Sequence, residues 1–275
     1  MKPAPFDYIR AESVDEALDL LAQTGGEARI LAGGQSLMPM LNMRLARPAV
    51  VIDVMRVAAL QKVDDRGGAL AVYAGVRQVE IERRPNLAKE QPLLAAALAW
   101  VGHAQTRSRG TLCGSIAHAD PSAELPLVLV ALGGSVHLRA RKSKRKVAAQ
   151  DFFTGTMTTA RRDEEMIEAI TFPAKAPATG YAFREIARRH GDFAIVACAA
   201  IADAETARLA IGGVAERPVV RTMPLPGSSA LDEALDEFAW SLEARDDLHA
   251  SARYRRELVR RIGKSTLEEA VRCRA

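Results

Sequence analysis

Apolar positions along the first third of the chain alternate between helical and strand spacing. Val14, Ala17, Leu18 and Leu21 recur at helical intervals, and Ser13 with Glu16 three residues on forms a capping-box pattern, so the spacing predicts a helix that Gly25-Gly26 ends. The apolar run Ala28–Ala32 predicts a buried strand leading into Gly33-Gly34-Gln35-Ser36. An apolar turn or short helix follows over Leu37–Leu45, interrupted by Pro39, and a second strand over Val50–Val54 completes a small βαβ unit. Leu70–Val76 reads as a strand, Leu93–Val101 as a buried helix and Arg109–Ser115 as a second glycine-bearing turn. Ser135–Ala140 and Val147–Asp151 read as a hairpin with its tip at Arg141–Lys146, and Met166–Phe172 as a further strand.

Pro173, Pro177 and Gly180 then mark a boundary, beyond which the pattern changes. Tyr181–Arg188, Asp192–Ile201 and Ala207–Gly213 predict an antiparallel meander. Three helices follow, over Leu231–Leu242, over Ala250–Ile262, and a last one capped by Ser265 with Glu268. The class is α+β, in two parts joined near residues 174–180. The 275 residues agree with about two domains of ordinary size.

Composition narrows the function classes. At 48% hydrophobic and 26% charged the chain is globular, and a net charge of +4 is too small to indicate nucleic acid or membrane by itself. Cys113, Cys198 and Cys273 are far apart, which speaks against a disulfide framework and against a cysteine-ligated zinc or iron–sulfur site within this chain. The longest apolar runs, Leu125–Leu132 and Ala194–Ala202, are about half a membrane span. With no apolar leader at the start, the expectation is a cytoplasmic protein. The charge is unevenly placed. Arg139, Arg141, Lys142, Lys144, Arg145 and Lys146 carry six positive charges, so the rest of the chain sums to −2. That cluster reads as a solvated hairpin tip or as a docking point for an acidic partner, away from both glycine turns.

Several familiar motifs fail. Gly263-Lys264-Ser265-Thr266 resembles the end of a P-loop, but Leu258 stands where the earlier glycine is required, and the segment follows a helix. No GxGxxG opens a helix, no GxSxG elbow exists, and the five histidines form no close pair. Two glycine turns ending in serine remain. Such turns expose successive backbone N–H groups in a concave arrangement that suits an anion, and two facing each other suit a pyrophosphate; spacing alone favours reading each as a tight turn between elements. Glu124, at the mouth of a buried apolar segment, reads as an acceptor for a ribose or ring N–H, or as an acid at a helix N-terminus behind Asp120-Pro121.

The segments Arg29–Leu37 and Arg109–Pro121, together with Asp151–Gly155, Ala187–Ala194, Ile211–Ala215 and His249–Leu258, resemble the FAD-binding medium subunits of molybdenum hydroxylases. These are the flavoproteins of carbon monoxide, nicotine and quinoline dehydrogenases and the flavin domain of xanthine dehydrogenase. The resemblance covers essentially the whole chain. It implies an oxidoreductase with a two-subdomain FAD-binding unit of the vanillyl-alcohol-oxidase type over residues 1–175 (subdomains about 1–56 and 57–175). A C-terminal domain of small antiparallel sheet plus helices would occupy residues 176–275.

By the same resemblance Arg29, Ile30, Leu31, Ala32, Gly33, Gly34, Gln35, Ser36 and Leu37 would hold the FAD pyrophosphate together with Thr111, Leu112, Cys113, Gly114 and Ser115. Glu124, Ile167, Val101 and Arg184 would make further cofactor contacts. Cys113 stands where the family usually has glycine, which leaves open a small buried replacement or a thiol near the flavin. No catalytic acid or base and no metal ligand is assigned to this chain. The resemblance implies electrons received from [2Fe-2S] clusters of a small partner subunit and passed through FAD to an external acceptor. A large partner subunit would carry the molybdenum cofactor, in a dimer of heterotrimers. The competing readings are a stand-alone FAD oxidase or dehydrogenase of the same fold, and a nucleic-acid or scaffold protein, for which no binding motif is present.

Overall fold

The computed structural model describes residues 2–274, apart from the side chain of Arg66. Three short parallel strands open the chain: β1 (Asp7–Arg10), β2 (Ala28–Leu31) and β3 (Val50–Asp53), in the order β1-β3-β2. Helix α1 (Val14–Thr24) buries Val14, Ala17, Leu18 and Leu21, the stripe that its spacing predicts. At its start the Glu16 amide donates to Ser13 Oγ (3.1 Å), while the Glu16 carboxylate accepts from the Glu12 amide (2.7 Å). Helix α2 (Leu37–Asn42) links β2 to β3 and accommodates Pro39 in its first turn, where no N–H is needed. The βαβ expectation therefore holds, and β1 adds a strand that its short polar sequence does not announce.

The second layer is a five-stranded sheet in the order β4-β5-β10-β6-β7, with β4 (Val63–Arg66), β5 (Ala69–Tyr73), β6 (Ser135–Arg139), β7 (Lys144–Ala148) and β10 (Met166–Phe172). Helices α3 (Gln78–Glu82), α4 (Leu87–Glu90), α5 (Pro92–Leu98), α6 (Ala104–Arg109), α7 (Leu112–His118), α8 (Glu124–Ala131) and α9 (Ala149–Phe152) fill the connections. The strand pair β8 (Phe153–Gly155) and β9 (Thr158–Thr159) precedes β10. Every residue of α8 is buried, as a helix apolar on all sides must be.

The third layer is the antiparallel sheet β11-β12-β13-β14, formed by Gly180–Ile186, Val196–Ala202, Ala207–Gly212 and Val219–Met223. The first three are the expected meander, and β14 extends it. One face packs on α5 and α8, the other on α10 (Leu231–Ser241) and α11 (Ala252–Arg272). No described helix is long and apolar enough to cross a membrane.

Two expectations are corrected. The last two helices are one: α11 runs unbroken through Gly263 and Ser265, and the Ser265 hydroxyl donates to Ile262 O instead of capping a new helix. A side chain at Gly263 would bring its Cβ to 2.9 Å from Leu209 Cδ2, so glycine there serves close approach to β13, not a break. The basic hairpin is also different from its reading. Lys144, Arg145 and Lys146 lie in β7, leaving a shorter tip, and much of the charge is paired.

Arg139 bonds Glu168 and Asp15 (both 2.8 Å), and Arg141 pairs with Asp19, so two arginines of the second layer bind α1 of the first. Arg145 grips Glu165 with two hydrogen bonds (2.6 and 2.7 Å) while Glu165 is only 2% exposed. Burial alone would raise the Glu165 carboxyl, but the Arg145 bonds and the Arg162 amide hold it below its ordinary range. Arg145→Met leaves that carboxylate buried without its cation and is expected to cost about 3 kcal/mol in denaturant unfolding. Lys142→Ala, at the exposed tip, should change stability by less than about 0.5 kcal/mol.

Candidate functional site

The chain leaves β2 at Leu31 and turns at once through Gly33 and Gly34. An added Cβ on Gly33 would stand 2.2 Å from the Arg109 carbonyl oxygen and 2.7 Å from Gly110 Cα, so the first turn lies directly against the backbone that opens the second motif. Gly34 has φ +72°, a conformation open to glycine at little cost. Among the described residues, the amides of Gly33, Gly34, Gln35 and Ser36 donate to no protein acceptor, and the Ser36 side chain makes no capping bond. Four free N–H groups on a partly exposed glycine turn are a cradle for an anionic group.

The second motif differs from its reading as a glycine turn. Thr111 is the N-cap of α7, its Oγ1 accepting from the Gly114 amide (3.0 Å), and residues 112–115 are helical. An isolated bridge between Arg77 and Thr111, with the Gln78 amide donating to Gly110 O (2.8 Å), fixes this start. Cys113 therefore needs no positive φ. Its side chain points into the core, 2% exposed, with Sγ–H donating to Val72 O (3.4 Å), and burial pushes the thiol up. Cys113 is thus a small buried residue whose thiol lies in the core. A thiol titration of the native protein should count Cys273 alone, the one exposed cysteine, and all three after denaturation.

A cleft of about 590 Å³ opens at the first turn. Leu31–Gln35, Met38 and Asn42 line it together with Asp53, Met55, Arg77 and Arg109. Asp53 ends the central parallel strand, and its carboxylate accepts from Tyr8 Oη (2.5 Å) and the Met55 amide (2.8 Å). Sequence reasoning missed Asp53, Arg77 and Arg109 as site residues. The available signal was an acid at the carboxyl end of a parallel strand, where ligands of open α/β sheets gather.

The other predicted residues separate into two groups. Val101 is buried just after α5, and its carbonyl accepts from Arg107; Ile167 is buried in β10 beside a bulge. Glu124 is the first residue of α8, 5% exposed, and its carboxyl is pushed up to about 7, by burial first and then by Asp120. Arg29, by contrast, folds its guanidinium back onto the carbonyls of Gly26 and Ala28. Arg184 stands on the sheet face turned to α11 and pairs with Glu269 (2.7 Å). The structure does not bring these two side chains to the glycine cradle. Among the described residues no group of three His, Cys, Asp or Glu side chains is placed to hold a metal.

Residues 4–175 match the family described as FAD binding domain in molybdopterin dehydrogenase, and residues 181–270 match the CO dehydrogenase flavoprotein C-terminal domain. The chain belongs to the molybdopterin dehydrogenase flavoproteins. This flavoprotein is 36% identical to the nicotine 6-hydroxylase medium subunit of Paenarthrobacter nicotinovorans, over 98% of its own length and 99% of that chain. It is 34% identical to the 6-hydroxypseudooxynicotine dehydrogenase complex subunit alpha of the same organism, over 98% and 96%. Its fold matches carbon monoxide dehydrogenase from Hydrogenophaga pseudoflava with a TM-score of 0.93 and 30% identity across 100% of both chains. The flavoprotein is thus an oxidoreductase whose cofactor is FAD, and its α+β fold is that of the medium chains. The glycine cradle, whose four amides have no acceptor among the described residues, fits that cofactor's anionic centre.

Proposed function

We propose that this chain is the FAD-carrying medium subunit of a heteromeric molybdenum hydroxylase. The observation that carries the reading is the seating of the Gly33 turn on Arg109–Gly110, which joins two motifs far apart in sequence around one set of free amides. When bound, FAD supplies the electron-transfer chemistry that links iron–sulfur clusters of a small partner subunit to an external acceptor.

This chain's own part is to bind and orient. The amides of Gly33–Ser36, the Ser36 and Ser115 hydroxyls, and the segments Ile30–Leu37 and Thr111–Ser115 would hold the pyrophosphate. Val101 and Ile167 would exclude water from the flavin, and Glu124 would accept a hydrogen bond from a cofactor donor. Residues 1–175 would form the FAD-binding unit and 176–275 the C-terminal domain, within a cytoplasmic dimer of heterotrimers. The large partner would hold the molybdenum cofactor and read the substrate.

Purification of the tagged chain from its native host tests the assembly. Co-elution with one large molybdenum-containing chain and one small chain carrying [2Fe-2S] clusters is expected. Elution alone, with flavin and full activity towards a small substrate, would instead indicate a stand-alone oxidase.

A further inference from the structure

Glu185 is a charged residue on an apolar sheet face. In β11, Tyr181, Phe183 and Glu185 share the face that meets α5 and α8, whereas Ala182 and Arg184 face α11. Glu185 is 6% exposed, and neither of its carboxyl oxygens has a hydrogen-bond partner among the described residues. Helix α5 has no titratable residue to offer it, and the one on β12, Cys198, belongs to the core on the opposite face. What faces Glu185 is a second buried acid, Glu124, with Asp120 beside that. No cation among the described residues acts on either carboxyl.

Leaving both oxygens of a buried carboxyl unpaired costs free energy, and such a group calls for a partner from elsewhere. Once ionised the pair offers acceptors only, so a partner that binds this form brings hydrogen-bond donors. The place of the pair indicates which donors. Glu124 begins the helix that follows the Thr111–Ser115 motif, and α8 packs on α7. The Gly213 amide donates to Pro121 O (2.8 Å), which draws the C-terminal sheet onto this same connection.

We propose that Glu185 completes the FAD site from the C-terminal sheet, accepting with Glu124 hydrogen bonds from neutral donors of the cofactor, a ribityl hydroxyl or the flavin imide N–H. The assignment rests on the FAD-binding reading and extends it, since it makes the C-terminal domain a direct contributor to cofactor affinity. It also implies a proton linkage. Burial first, and Glu124 second, push the free Glu185 carboxyl up to about 8, and Glu124 stands at about 7. Donors favour the ionised form, so FAD binding lowers these values and releases a proton. Affinity for FAD should then rise with pH up to about 8 and level off above it.

The test is titration of the FAD-depleted chain with FAD from pH 6 to 8.5, followed by flavin fluorescence, beside thermal unfolding of the depleted chain. Wild type should bind more tightly as pH rises. Glu185→Gln should lose most of that slope, and Glu185→Leu should bind roughly tenfold or more weakly throughout. Depleted Glu185→Leu should melt no lower than wild type, because an unpaired buried carboxyl has been removed; a purely structural glutamate would lower its melting temperature. Equal affinity and equal pH slope in wild type and both variants would overturn the assignment while leaving the FAD reading intact. If Glu185→Leu fails to fold, the near-isosteric glutamine variant decides alone, by its slope. A wild-type chain that takes up no FAD at any pH overturns both.

Discussion

Gly33→Ala should purify largely without FAD. The new Cβ would stand 2.2 Å from the Arg109 carbonyl oxygen, far inside contact distance, and the neighbouring atoms are backbone. Neither turn can yield by a side-chain rotation, so the two motifs must separate or the Gly33 turn must change shape. Backbone strain of this kind is worth about 2 kcal/mol, which weakens binding roughly thirtyfold if it falls on the cradle. Gly34→Ala is the informative companion. Its Cβ would meet only the Met38 and Leu31 side chains at 3.2 and 3.4 Å, and its penalty comes from φ +72°. That costs about 1 kcal/mol and predicts a smaller loss of FAD. FAD released per chain on denaturation, and the FAD dissociation constant, measure both. Full occupancy in Gly33→Ala would show that the joined turns are not the cofactor cradle.

Arg255→Met should be the most destabilising single change in the C-terminal part. The guanidinium is almost wholly buried. It donates to Ile195 O (2.6 Å) at the entry to β12 and to Gly213 O (2.7 Å) after β13, and it pairs with Asp247 before α11. One side chain thus ties the long helix to two strand ends. Methionine fills the volume but leaves two carbonyls without donors, for an expected loss of about 4 kcal/mol. For a chain of this size that lowers the melting temperature by roughly 10 °C. Arg255→Lys should recover little, since a single ammonium cannot reach three separated acceptors in the guanidinium's fixed geometry. Thermal unfolding checks both. A loss under about 1 kcal/mol would mean that water replaces the guanidinium at these carbonyls.

What the sequence could reveal tracks how local each determinant is. The capping box at Ser13 and Glu16 and the stripe from Val14 to Leu21 lie within one helix, and both were readable. The meander and the parallel pairing of β2 with β3 followed from apolar runs and intervening turns. Gly263 and Ser265 misled because a glycine and a serine look like a stop and a start; the contact that explains the glycine comes from Leu209, on another element. The basic hairpin misled for the same reason. Its partners Asp15, Asp19, Glu165 and Glu168 are remote in the chain, so clustered charge looked solvated.

At the site, the glycine turns were legible as turns, but the reason for Gly33 is a backbone 76 positions away. Cys113 looked like an anomaly in a turn, and helical geometry removes the difficulty. Arg184 aligned with a cofactor contact, yet strand alternation turns it to α11 and turns its neighbour Glu185 to the other face. That neighbour carried a readable signal: an acid in register with Tyr181 and Phe183 on an apolar face.

FAD is the cofactor of this chain itself. The most direct measurement is the visible spectrum of the purified chain, with quantitation of the flavin released when it is denatured. A yellow protein that releases FAD at about one per chain, or a chain that regains this occupancy on reconstitution, is expected. A colourless protein that takes up no FAD would contradict it.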